Sequence, residues 1–184
     1  MRTMFKRRIS PRAQIQKTQH IAELEEGWSK NPRQPMISIS VARTRNTADV
    51  ELDKLKKYKM FIHSHPEKPS GKATPNPALP SWEDVLEYAR ILNENGKTRT
   101  AVIACVNQKG KLTGYTFFRS ANARSETIET MDRTARSTMT DRMANTVLGK
   151  ISELESVGLR LRFVPVKGYT FDRLFGKYVK KRLF

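Results

Sequence analysis

The chain alternates short apolar runs with longer amphipathic stretches. In MISISVAR (36–43), Ile37, Ile39 and Val41 fall on one face and Ser38 and Ser40 on the other, which predicts a half-buried strand. YKMFIHSHP (58–66) predicts a second short strand, ended by Pro66. A helix is predicted from Ser81, because Val85, Tyr88, Ala89 and Leu92 recur at helical spacing until Asn95-Gly96 stops it. TAVIACV (100–106) is apolar throughout, as expected of a central strand, and NQKG turns it into the paired strand KLTGYTFFR. Across 122–156, Ile128, Met131, Ala135, Met139, Met143, Val147, Ile151 and Leu154 are spaced by threes and fours, which predicts one long helix with a packing stripe. LRLRFVPV (159–166) predicts a last strand. Residues 11–26 read as a helix between Ser10-Pro11 and Gly27, or as a strand over HIAELEEGW, and period alone does not separate the two. Alternating strands and helices predict an α/β fold, a mixed sheet flanked by helices.

Two stretches break the pattern. Residues 66–80, PEKPSGKATPNPALP, hold five prolines and form a loop. The ends are basic: of a net charge of +17, thirteen excess positive charges lie in residues 1–22 and 159–184. Basic ends around a nearly balanced middle suit a polyanionic partner, nucleic acid or a nucleoprotein assembly, bound through phosphates. A merely solvated surface is the alternative. The aromatics of the C-terminal stretch, Phe163, Tyr169, Phe171, Phe175, Tyr178 and Phe184, could stack on bases, but their apolar spacing favours anchoring to the core. The division expected is a basic arm over 1–19, a domain over 20–166 and a basic tail over 167–184.

Composition removes several classes. No apolar run approaches the roughly 18 residues of a membrane span. The single cysteine, Cys105, excludes an intramolecular disulfide and an all-thiolate metal site, and its apolar setting reads as a small buried side chain. The expected location is cytoplasmic. The Arg-rich start also fits an organellar matrix address, and it lacks the apolar core of a secretory signal.

The chemistry concentrates in two short motifs. Of three histidines, two stand as His63-Ser64-His65, and alternate strand residues share a face, so both imidazoles can converge on one ion. Ser81-Trp82-Glu83-Asp84 then opens a helix. A capping box explains that spacing without a metal, yet it leaves Asp84 in the first turn, near enough to complete a two-histidine, one-carboxylate zinc set with Ser81 beside it. His20 is read as a surface residue.

His63-Ser64-His65-Pro66, a Pro-rich loop and Pro80-Ser81 with Asp84 at a helix start together resemble the JAB/MPN (JAMM) metallopeptidase signature, with some likeness to RadC-type domains. The resemblance covers about residues 20–119. It implies a JAB/MPN-like (cytidine-deaminase-like) fold with basic extensions. It also implies zinc on His63, His65 and Asp84, Ser81 at the oxyanion, and hydrolysis of a peptide or isopeptide bond in a protein substrate. His65 and Ser81 stand 16 residues apart where the family has about eight, an insertion that costs little loop-closure entropy. The family's general base is a glutamate on an earlier strand, shortly before a glycine. Glu23, Glu25 and Glu26 precede Gly27, with Glu51 as an outsider. Glu23 is chosen because strand residues must follow it before the loop SKNPRQP; a solvated acidic patch is the rival reading. Without a working base, the same domain would be a non-catalytic module in a ribonucleoprotein, virion or polymerase assembly.

Overall fold

The structure is a computed structural model and describes residues 27–30, 37–38, 40–43, 48–50, 59–67, 76–94, 100–122, 124–138 and 146–181. Among the described residues there are ten strands and three helices; the strands are β1 (Gly27–Lys30), β2 (Ile37–Ser38), β3 (Ser40–Arg43), β4 (Ala48–Val50), β5 (Met60–Pro66), β6 (Thr100–Val106), β7 (Leu112–Ser120), β8 (Leu159–Pro165), β9 (Tyr169–Asp172) and β10 (Lys177–Lys180). The helices are α1 (Trp82–Asn93), α2 (Ser125–Thr138) and α3 (Val147–Ser156). Six strands make one sheet in the order β2-β1-β5-β6-β7-β8, and β9–β10 and β3–β4 form separate two-stranded ribbons. Among the described strands only β5 and β6 are parallel, with His63 opposite Ile103 and His65 opposite Cys105. The remaining neighbours in the sheet are antiparallel. The fold is therefore mixed α/β, with β5 and β6 joined through α1 as a parallel pair requires.

Burial explains which segment became which strand. β6 lies in the middle of the sheet, and Ala101 to Val106 are all buried, so the uninterrupted apolar run is needed for two covered faces. On one face Phe61, Ile103, Cys105 and Phe118 pack against the stripe of α1, against Ile128, Met131 and Ala135 of α2, and against Leu154 of α3. The opposite face carries Ile62, Val102, Ala104 and Leu112 with Val166. The β6–β7 turn closes on Asn107, whose Oδ1 accepts from the backbone N–H groups of Lys109 and Lys111, both at 3.0 Å. Gly110 takes φ 70° there, a left-handed position where glycine avoids a Cβ clash. The predicted stripe of α1 is buried at Val85, Tyr88, Ala89 and Leu92, and the helix ends on Glu94.

Three expectations are revised. The long helix over 122–156 is two helices. Residues 139–145 lie outside the described residues, and Thr146 is extended (φ −107°, ψ 150°) with its side chain accepting from Gly149 N, a new N-cap through which no helix can run. A heptad-like stripe reports which face is buried, and a capping threonine within it starts a second helix. The single strand over 36–43 is divided between two sheets, Ile37–Ser38 pairing with β1 and Ser40–Arg43 with β4. The C-terminal segment drawn as a basic tail folds as the β9–β10 hairpin through residue 180.

Its aromatics anchor it. Phe171 stacks on Phe163 with ring centroids 3.9 Å apart, and Tyr178 is buried against β7. Gly114 makes room for that ring, since a Cβ there would lie 2.5 Å from Tyr178 Cδ1. The Tyr178 hydroxyl donates to the Tyr115 carbonyl at 2.6 Å and pairs with Thr116 Oγ1 at 3.0 Å. No helix among the described residues is long and apolar enough to cross a membrane.

Candidate metal centre

His63 and His65 lie on β5 with one residue between them, so their side chains leave the sheet on the same face as Phe61 and Cys105. Both are buried, at 5% and 4% exposure. His65 Nδ1 sits 3.1 Å from the carbonyl oxygen of Pro77. A carbonyl only accepts, so Nδ1 carries a proton and Nε2 is the nitrogen turned to the cluster. The Cys105 thiol donates to the same oxygen at 3.3 Å, and burial pushes that thiol's pKa up, which keeps it a neutral donor. The Pro77 carbonyl is thus a fixed support behind His65, the kind of outer contact that orients a ligating imidazole.

Asp84 arrives from the start of α1. Its Oδ2 accepts from Ser81 N at 2.6 Å and from Ser81 Oγ at 2.9 Å, while Ser81 Oγ accepts from Asp84 N at 3.2 Å. This is the capping box anticipated from the spacing, and it locks the carboxylate's rotamer. Oδ1 faces His63 Nε2 at 2.9 Å and Oδ2 faces His65 Nε2 at 3.5 Å. The two Nε2 atoms are 3.0 Å apart. Burial would raise the Asp84 pKa, but the neighbouring imidazoles and their hydrogen bonds outweigh it and hold the carboxyl well below the usual range. Asp84 keeps 15% of its side chain exposed, against 6% and 5% for the histidines.

The donor set can hold a metal ion: two imidazole Nε2 atoms face one carboxylate, His63 through Oδ1 and His65 through Oδ2. Among the described residues, His63, His65 and Asp84 form a group able to hold a metal, their ligand atoms within 4.8 Å of one another. His63 differs from His65 in having no such support: its Nδ1 is buried without a hydrogen-bond partner, and the ring stacks on Phe61 at 5.2 Å.

The structure therefore brings together His63, His65, Asp84 and Ser81. Glu23, Glu25, Glu26, Glu51 and His20 lie outside the described residues, as does the first half of the inserted loop, 68–75. Its second half is packed: Pro77, Ala78, Leu79 and Pro80 are all buried. The sequence reading missed Pro77, because a main-chain carbonyl leaves no mark on residue type. Comparison of the chain with protein-family models, with curated proteins and with solved structures finds no match.

Proposed function

We propose that the protein is a metal-dependent amide hydrolase of the JAB/MPN kind, with zinc held by His63, His65 and Asp84 and a peptide or isopeptide bond as its target. The observation that carries this reading is the convergence of two strand imidazoles and a capped carboxylate at 2.9–3.5 Å. A zinc ion in such a site polarises a carbonyl and acidifies water, leaving the protein to move protons and orient groups. The general base is drawn from the acidic run before β1. Gly27 pairs with His63 across the sheet, so Glu26 is one peptide bond from the residue opposite a ligand. A strand continued backward from Gly27 would keep the face of His63 at odd positions, which favours Glu23 and Glu25 over Glu26. That carboxylate would take a proton from the attacking water and return it to the leaving amine. With Asp84 engaged as a ligand, the Ser81 hydroxyl can turn from the carboxylate to the developing oxyanion.

The test combines metal analysis with hydrolysis of a proteome-derived peptide library read by mass spectrometry. Purified protein is expected to carry about one zinc per chain, and His63→Ala with His65→Ala to carry none. Glu23→Gln should keep the zinc and lose cleavage, since an amide cannot accept the proton. Undiminished cleavage moves the role to Glu25. Zinc retained by the double variant overturns the site, and zinc without any cleavage in wild type favours the non-catalytic module.

A further inference from the structure

A cleft of about 370 Å³ lies beside the hairpin, lined by Glu67, Asn107, Lys109, Lys111, Lys177 and Lys180 among others. Its lysines come from two segments distant in sequence, the β6–β7 turn and β10, and folding brings them to one wall. Glu67, the one carboxylate among the described residues of the lining, is engaged by Lys177 at 3.3 Å, and four lysines against it leave this lining positive. Gathering like charges costs self-repulsion, which an anionic ligand relieves. The turn that carries two of them is rigid, because Asn107 Oδ1 fixes the backbone at both Lys109 and Lys111.

A second observation adjoins the first. The hairpin tip exposes Leu174 and Phe175, at 82% and 60%. Asp172 Oδ1 accepts from the backbone N–H groups of both, at 2.9 and 3.3 Å, so the tip is a built turn. Lys177 Nζ lies 5.6 Å from the centroid of the Phe175 ring, and the same Lys177 lines the cleft. An exposed aromatic ring beside a basic groove is the arrangement that holds single strands, the groove taking phosphates and the ring taking a base. An acidic peptide would use the lysines but draw nothing from the ring, and a duplex hides its base faces.

We propose that this cleft binds single-stranded nucleic acid, with Lys109, Lys111, Lys177 and Lys180 on phosphates and Phe175 stacked on one base. It stands or falls independently of the metal centre. The experiment is fluorescence anisotropy of the full chain with labelled short oligothymidine and oligouridine over a salt series. Lys109→Gln with Lys111→Gln should flatten the slope of log affinity against log salt by about 1.4, roughly 0.7 per phosphate contact. Phe175→Ala should weaken binding about 5- to 150-fold with the slope unchanged, and Phe175→Tyr, which keeps a ring, should retain it. Thermal melting of each variant checks the fold. An unchanged slope in the lysine pair overturns the cleft, and full affinity in Phe175→Ala overturns the stacking. Equal affinity for duplex, or labelled polyglutamate bound with the same losses, overturns the single-strand assignment in favour of another polyanion.

Discussion

The histidine–aspartate cluster and the lysine cleft both sit at the carboxyl ends of the parallel strands β5 and β6, yet they are built in opposite ways. In the cluster both histidines are buried, and two of the three side chains are held from behind, His65 by the Pro77 carbonyl and Asp84 by the cap of α1. In the cleft the charges stand on long flexible stems near solvent, and the rigid parts are the backbone turns beneath them. A metal site needs ligand atoms placed to a fraction of an ångström before the ion arrives, so its supports must be stiff. A site for a repeating anion needs only charge density along a path, so flexible ammonium groups serve. The hairpin turn also contacts the metal side: Ala78 N donates to the Gly176 carbonyl at 2.9 Å, next to Pro77.

Substitutions can separate the two regions. The largest effect is expected from Asp84→Ala, which removes a proposed metal ligand and the acceptor of the capping box together. Zinc content should fall to background, and stability by roughly 3 kcal/mol, the low end for breaking a buried pair; elemental analysis and thermal melting read both. Gly114→Ala comes next. Its Cβ would meet the Tyr178 ring, which two hydroxyl hydrogen bonds hold in place, so overpacking should cost about 1–3 kcal/mol. The hairpin should loosen and oligothymidine affinity fall while zinc stays bound; loss of zinc as well would show that the two regions are one cooperative unit. Ser81→Ala should do least, costing about 1 kcal/mol of helix capping in a thermal melt with zinc retained. A loss of zinc in that variant would make the serine indispensable to the placement of Asp84.

Local chemistry in the sequence determined a good deal of this protein. The apolar run of β6, the stripe of α1, the Asn107–Gly110 turn and the capping box at Ser81 each depend on residues within one or two turns of chain, so spacing reveals them. The pairing of His63 with His65 belongs to the same class, since strand geometry alone sets two alternate side chains on one face. Tertiary structure decided the rest. That Asp84 reaches both imidazoles depends on how α1 docks on the sheet, across a loop that spacing cannot place. That residues 169–180 are a hairpin depends on a glycine in β7, distant in sequence from the tyrosine it admits. The break in the long helical stripe turned on a threonine cap, where a side-chain acceptor for one N–H replaced the continued helix. Local patterns report the free energy of one element against solvent; which elements meet, and what their meeting assembles, is settled by packing between residues far apart in the chain.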